Sequence, residues 1–317
     1  MNLLKALSGA FKRERTPADL AKWLNLPERD LREWLSNAPL WTRGYDYSRF
    51  TIPKRRGGMR TIDAPSDKLK ALQRAILHRL LNPLRAPECA TGFVPGRSIV
   101  DNARPHTGME VIINLDLANF FPSITAERVQ AAWQALGWGA EAAAILTRIC
   151  THDGRLPQGA PTSPALSNLI CRKLDARLAA LVESRDGAYT RYADDITISL
   201  PGFGRNKRLR KHKARGPGQA RPVERVVIGR QLLTHIKAII EAEGFAIQMK
   251  KKVRVQRAHQ RQTATGLVVN AEVSLPRETR RLIRAMQHHE RLGKLDSAGQ
   301  RRLRGLEAFA AMVEKQR

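Results

Sequence analysis

The chain has 317 residues, 42% of them apolar, enough for a substantial core arranged as two or three subdomains. Its 56 Lys and Arg outnumber 29 Asp and Glu, a formal charge of +27 that points to a polyanionic partner held through salt-sensitive phosphate contacts. No run of about 18 apolar residues, no signal-peptide pattern and no lipidation motif occurs, which argues against a membrane as that partner and for a cytoplasmic protein. Cys89, Cys150 and Cys171 are scattered, lack metal-ligand spacing and read as core thiols.

The first forty residues read as helical. Thr16-Pro17 is an N-cap and N1 pair, followed by an apolar stripe of Leu20, Trp23 and Leu24. After a break near Asn25-Pro27, Leu31, Trp34 and Leu35 mark a second short helix. The pair reads as a packing element, with a DNA-reading helix-turn-helix as the alternative. Residues 42–65 read as a basic β-hairpin turning at Gly57-Gly58, with Lys54, Arg55, Arg56 and Arg60 near its tip. Such a ribbon suits phosphates; an ordinary soluble hairpin is the plain alternative.

Val111 to Leu117 reads as a strand with Ile113, Leu115 and Leu117 on one face and Asn114 and Asp116 on the other. Leu156 to Pro164 is irregular, and its small residues allow close backbone approach to a ligand. A helix then carries Leu166, Ile170, Leu174 and Leu178, with Leu181 and Val182, and is expected to pack under a sheet. Two strands, Ala188 to Arg191 and Ile196 to Leu200, flank Tyr192-Ala193-Asp194-Asp195. The second alternates apolar and hydroxyl residues, so one face is expected to pack and the other to meet solvent or substrate.

Residues 201–222 hold eight Lys and Arg and no acid, and are expected to form a mobile loop. They read as a solvated insertion or as an electrostatic arm for nucleic acid. A helix is expected from near Arg230 to Gly244, then a strand Phe245-Ala246-Ile247 and the cluster Lys250-Lys251-Lys252. Residues 276–317 read as two basic amphipathic helices, one marked by Leu282, Ile283 and Met286, the other by Leu303, Leu306, Phe309 and Val313.

Ala193-Asp194 is a poor two-residue hairpin turn, since Asn-Gly or Asp-Gly is preferred. A local rule broken at an acidic turn points to a site. Adjacent carboxylates at Asp194 and Asp195 repel unless a divalent ion neutralises them. The pair alone reads equally as a solvated turn. With Asp116 ending a separate strand, the metal reading leads, because three carboxylates with few other ligands suit Mg²⁺ or Mn²⁺. Two such ions serve in-line displacement at phosphorus.

Taken in order, these motifs resemble reverse transcriptases, specifically those of bacterial retrons, over about residues 45 to 275. Asp116 with Asn119-Phe120-Phe121-Pro122-Ser123-Ile124 is similar to the first catalytic motif of that family. Leu156 to Pro164 is similar to its template- and nucleotide-positioning motif, and Tyr192 to Asp195 to its second catalytic motif. Asn102-Ala103-Arg104-Pro105-His106 is similar to the Asn-Ala-x-x-His signature of retrons. Thr265-Gly266-Leu267-Val268-Val269-Asn270 is similar to their Val-Thr-Gly signature, with Ala264 in place of the Val. The insertion at 201–222 is less expected in the family.

The resemblance implies an α+β right-hand polymerase whose palm is an antiparallel sheet backed by helices. Residues 1–40 would be an N-terminal helical extension, 41–112 and 125–165 the fingers, 113–124 and 166–270 the palm with the basic insertion 201–222, and 271–317 the helical thumb. The implied activity is RNA-directed DNA synthesis from dNTPs. The template would be a partner noncoding RNA, primed from a guanosine 2′-hydroxyl and yielding a branched RNA–DNA product. The implied setting is antiphage defence with an accessory effector protein. A group II intron or abortive-infection type is the nearest alternative, disfavoured by the short chain and the two signatures. A non-catalytic basic nucleic-acid-binding regulator, reading through residues 16 to 36, leaves the three carboxylates unexplained.

The same resemblance implies roles for residues. Asp116, Asp194, Asp195 and the Leu117 carbonyl would hold two Mg²⁺, with Mn²⁺ as a substitute. Phe121 would crowd a ribose 2′-hydroxyl while Phe120 packs. Amides at Ala118, Asn119 and Phe120 would meet the triphosphate, as would Gln158, Arg60 and Lys54. Lys250 or Lys251 would protonate pyrophosphate or simply face phosphates. Among the signature residues, Asn102 and His106 precede the first catalytic strand, His106 reading as a hydrogen-bonding or packing residue. Thr265, Gly266 and Asn270 would serve RNA recognition or thumb architecture.

Overall fold

The computed structural model describes residues 14–35, 44–54, 57–201, 222–248 and 253–317. The basic segment 202–221, the lysine cluster at 250–252, Arg55 and Arg56 lie outside the described residues. In chain order the elements begin with α1 (Pro17–Leu24), α2 (Glu28–Arg32), β1 (Tyr47–Pro53), β2 (Met59–Pro65), α3 (Asp67–Ile76) and α4 (Ile99–Ala103). Next come β3 (Val111–Asp116), α5 (Ala126–Ala135), α6 (Ala140–Cys150), α7 (Ser163–Ile170), α8 (Arg172–Glu183), β4 (Ala188–Tyr192) and β5 (Asp195–Leu200). The chain closes with α9 (Pro222–Ala242), β6 (Arg254–Arg257), β7 (Thr263–Ala264), β8 (Leu267–Val268), α10 (Arg277–Arg291) and α11 (Ser297–Gln316). Contacts divide it into two compact units, Met1–Pro87 with Asn119–Lys173, and Glu88–Ala118 with Leu174–Arg317.

In the first unit, α1 opens with a capping box. The Thr16 hydroxyl accepts from the Asp19 amide, and the Asp19 carboxylate accepts from the Thr16 amide at 2.9 Å. Leu20, Leu24, Leu31 and Trp34 are buried and Arg32 pairs with Glu141 of α6, so the two short helices are a packing element. The β1–β2 hairpin runs in antiparallel register from Tyr47↔Pro65 to Pro53↔Met59. Its connection is Lys54 to Gly58, longer than the Gly-Gly turn expected. Gly57 and Gly58 have φ of 88° and 84°, which residues with a Cβ adopt only at a cost. Buried Gln73 of α3 ties this hairpin to α6 by donating to the Tyr47 hydroxyl at 2.7 Å and the Ile149 carbonyl at 2.8 Å.

The single helix expected from Leu166 to Val182 is two, α7 and α8, interrupted at Cys171. The apolar spacing survives because the interruption is one residue long, and the Cys171 amide still reaches the Ser167 carbonyl at 2.9 Å. Nothing in the sequence punctuates that break, since neither Gly nor Pro is present.

The second unit is built on an antiparallel sheet of order β4-β5-β3-β6. Residues 89–91 add a short parallel strip along β4, with Arg191 donating to the Cys89 carbonyl at 2.8 Å and Thr91 to the Arg191 carbonyl at 3.0 Å. On one sheet face Ile113, Leu115, Ile196 and Ile198 are buried, and Tyr189 and Arg191 of the same face bond Asp175 of α8, a helix that also buries Leu174, Leu178 and Val182. The hydroxyl face, expected to meet solvent or substrate, is buried as well: Thr190, Thr197 and Ser199 are at most 3% exposed. The reason is polar satisfaction from above. His106 lies between Ser199 Oγ and Thr190 Oγ1, each 2.7 Å away, and Asn114 Nδ2 donates to Thr197 Oγ1 at 3.3 Å.

Thr265 and Gly266, with φ of 46° and 84°, form the two-residue turn of the β7–β8 hairpin, both central residues left-handed as a type I′ turn requires. One core joins Val100, Ala103, Ile112, Leu267, Val269, Ile283, Met286, Leu303 and Val313. The helices α10 and α11 therefore share a core with residues on the other side of the expected thumb boundary. Leu282 is 37% exposed, leaving Ile283 and Met286 as the inward pair of α10. Helix α9 starts at Pro222, earlier than expected, since a residue without an amide proton suits the first helical position. Among the described residues, no helix is long and apolar enough to cross a membrane.

Candidate active site

The end of β3 and the start of β5 meet in register, with Asp116 directly opposite Asp195. The next pair, Leu117 and Asp194, is hydrogen-bonded through the Leu117 amide and the Asp194 carbonyl at 2.9 Å. Ladder alternation then makes Asp116–Asp195 a non-hydrogen-bonded pair, the kind whose Cα atoms approach to about 4.5 Å with side chains on one face. Two carboxylates 79 positions apart in sequence are thus neighbours by backbone pairing, and Asp194 is joined to them through Leu117. Among the described residues, no group of three or more His, Cys, Asp or Glu is placed so that it could hold a metal ion. The register of the strands is what unites these acids.

The turn between β4 and β5 is Ala193-Asp194, closed by the Tyr192↔Asp195 pair. Ala193 has φ of 58° while Asp194 does not, the pattern of a type II′ turn in which glycine is normal at the first central position. Holding alanine there costs on the order of 1 kcal/mol or more. Two supports oppose that cost. Gly92 packs so tightly on the turn that a Cβ on it would lie 2.6 Å from the Ala193 nitrogen. From the other side Arg191, fully buried, donates through Nη1 to the Ala193 carbonyl at 3.1 Å.

The Arg191 guanidinium is itself clamped by Asp175 of α8, with Nε to Oδ1 at 2.8 Å and Nη2 to Oδ2 at 2.7 Å. The Tyr189 hydroxyl donates to the same Oδ1 at 2.7 Å, and burial with the Asp175 charge beside it raises the Tyr189 phenol well above its ordinary value. The sequence reading missed this cluster. Its signal was present: Arg191 and Tyr189 fall in phase with the apolar positions, opposite Ile196 and Ile198. A charge on a buried strand face requires a buried partner.

Other expected residues lie in the first unit. Gln158 is half-buried, and its carbonyl accepts from the Asp63 amide of β2 at 2.9 Å. Gly159, at φ 142°, makes that approach possible, because a Cβ would lie 2.5 Å from the Asp63 carbonyl oxygen. Gln158 is therefore fastened to the strand that carries Arg60, and both Arg60 and Lys54 are exposed. Phe120 is buried and Phe121 half-buried, with their rings 5.2 Å apart. Asn119 has a left-handed φ of 46°, and its carbonyl accepts from the Ser123 amide at 2.8 Å.

One expectation changes, and the signature residues follow the packing and architectural readings. The Ala118 amide donates to the Ala246 carbonyl at 2.8 Å, so it is committed to the sheet and does not serve a triphosphate. Asn102 and His106 are fully buried: Asn102 Nδ2 donates to Thr91 Oγ1 at 2.9 Å, and burial pushes His106 down to about 4. Asn270 closes a loop, accepting from the Gln262 amide at 2.9 Å and donating to the Gln260 carbonyl at 2.8 Å, while Thr265 Oγ1 donates to the Ile99 carbonyl at 3.2 Å. These signature residues build architecture with their side chains. Lys250 and Lys251 lie outside the described residues.

The chain matches the family model for reverse transcriptase (RNA-dependent DNA polymerase) over residues 52–267. The chain belongs to the reverse transcriptase family. It is 38% identical to the retron Mx65 reverse transcriptase of Myxococcus xanthus, over 94% of this chain and 68% of that protein. To the retron Mx162 reverse transcriptase of the same organism it is 37% identical, over 93% of this chain and 63% of that protein. To the retron Ec86 reverse transcriptase of Escherichia coli it is 37% identical, over 87% and 79%. This reverse transcriptase is of the retron type, an RNA-directed DNA polymerase that takes an RNA template and dNTP substrates. Its α+β architecture, with antiparallel sheets, agrees with the right-hand fold of the family. Reverse transcriptases generally use divalent metal ions, hard cations that take carboxylate oxygens as ligands.

Proposed function

We propose that this reverse transcriptase copies a partner noncoding RNA from a guanosine 2′-hydroxyl within it, producing a branched RNA–DNA molecule. The proposed setting is defence against bacteriophage together with an accessory effector protein. The reading rests on the retron relatives and on the pairing of Asp116 with Asp195 beside Asp194. In it, the palm holds the paired acids on its sheet, the fingers hold the β1–β2 hairpin and the Gln158 loop, and α10 with α11 form the thumb.

Asp116, Asp194, Asp195 and the Leu117 carbonyl would hold two Mg²⁺, or Mn²⁺, which when bound supply a lowered pKa for the primer hydroxyl and neutralise charge on the leaving oxygens. The chain's own residues do the rest. Arg60 and Lys54 attract the triphosphate electrostatically, Gln158 orients the nucleotide, and Phe121 crowds the position of a ribose 2′-hydroxyl. One of Lys250 and Lys251 donates a proton to pyrophosphate as general acid. Asn119 and Phe120 offer amides to the phosphates.

Asp194→Asn combined with Asp195→Asn tests the assignment. Extension of an annealed primer on RNA should vanish, while thermal unfolding and RNA binding stay at wild-type values. Synthesis near the wild-type rate would remove these residues from the site. Sequencing nucleic acid that copurifies with the protein tests the product: a 2′-branched RNA–DNA species is expected, and linear DNA alone contradicts the priming reading.

A further inference from the structure

We propose that the buried Arg191–Asp175 pair is a positioning device for the catalytic turn, fixing the Ala193 carbonyl and through it the direction of Asp194 and Asp195. This rests on the reading of those two acids as metal ligands. The carbonyl of Ala193 and the amide of Asp194 belong to one planar peptide unit, so holding the oxygen sets the tilt of the next residue. Arg191 Nη1 holds it at 3.1 Å. The guanidinium has no freedom to turn away, because Asp175 grips it by two parallel bonds of 2.8 and 2.7 Å. Tyr189 adds a third bond to that carboxylate.

Stability alone does not account for the arrangement. The side chains of Arg191 and Asp175 are 0% and 1% exposed, and buried pairs of this kind are often replaced by apolar residues without loss of stability. An apolar replacement would fill the same volume but present no donor to the Ala193 carbonyl. The left-handed alanine at the turn is the residue that needs such a donor. The same guanidinium thus links α8 to the turn between β4 and β5.

The test uses the full chain on an annealed primer and RNA template, with Mg²⁺ and dNTP varied separately. Two variants are compared with wild type. Arg191→Lys keeps a charge opposite Asp175, but one ammonium cannot reproduce the planar three-way bonding. The triple variant Arg191→Met, Asp175→Leu, Tyr189→Phe replaces the cluster by apolar groups of similar size. The expected result is a fall in kcat of about 10- to 100-fold with a higher half-saturating Mg²⁺ concentration. KM for dNTP, RNA affinity and unfolding temperature should stay near wild type in at least one variant.

A folded variant with wild-type kcat and Mg²⁺ response overturns the proposal. Unfolding of both variants also overturns it, because the pair is then a stability element. Asp194→Asn with Asp195→Asn is run alongside. If that variant stays active, the site reading fails; if it is dead while the Arg191 variants behave as wild type, only the positioning role fails.

Discussion

Replacing Gly92 with Ala would drive a methyl group into the backbone of the turn that carries Asp194 and Asp195. The new Cβ would lie 2.6 Å from the Ala193 nitrogen and 3.0 Å from both the Cα and the carbonyl carbon of Tyr192. All three are backbone atoms, so no side-chain rotation relieves the clash. The turn or residues 89–92 must retreat by several tenths of an ångström, and Arg191 already holds the turn at the Ala193 carbonyl. A displacement approaching 1 Å at a catalytic constellation costs about 100-fold in rate, equivalent to about 2.7 kcal/mol of transition-state stabilisation. The assay is single-turnover incorporation of one dNTP on an annealed RNA template, with RNA binding measured in parallel. The maximal rate should fall about 100-fold with RNA affinity unchanged. A rate equal to wild type, in a variant that melts normally, would refute the claim that Gly92 sets the position of the turn.

The remaining predictions concern other parts of the chain. Gly159→Ala places a Cβ 2.5 Å from the Asp63 carbonyl oxygen at a backbone φ of 142°, and should raise KM for dNTP about tenfold or more by displacing Gln158; an unchanged KM in steady-state titrations argues against that role. Phe121→Ala should increase incorporation of ribonucleotides relative to deoxyribonucleotides, and competition between the two that matches wild type rejects Phe121 as the sugar gate. Burial lowers His106 from 6.5 to about 4, so the unfolded chain binds its proton more readily than the folded one. Its contribution is complete above pH 6.5 and is lost as pH falls toward 4, in total about 3 kcal/mol. Urea midpoints at pH 7 and pH 5 should therefore differ less in His106→Asn than in wild type, and an equal difference contradicts the assignment.

Much of the site was legible because its parts are local. The alternation from Ile113 to Leu117 and the strands around Tyr192-Ala193-Asp194-Asp195 describe acidic strand ends without any knowledge of the fold, and Ala-Asp at a two-residue turn announces its own strain. The Pro-rich Gln158 segment and the basic hairpin are legible for the same reason. What escaped were relations between distant side chains. A row of hydroxyls on a strand looks like a wet face until something covers it, and here Asn102 of α4 and His106 just after it do so from more than eighty positions earlier. The Asp175 partner of Arg191 sits on a helix whose apolar spacing alone does not mark it as a buried acid. The break at Cys171 carries no sequence mark, because neither Gly nor Pro stands there and the apolar spacing is that of a single helix.

The strip formed by residues 89–91 along β4 also bears on how the molecule behaves in bulk solution. A bare outermost strand offers amides and carbonyls to another copy, which is how many sheet proteins begin to self-associate. Here that margin is occupied by the three residues that lead directly into Gly92. Loosening the strip would uncover a sticky border while unseating the chemistry, so inactive variants of residues 89–92 should also clump on concentration.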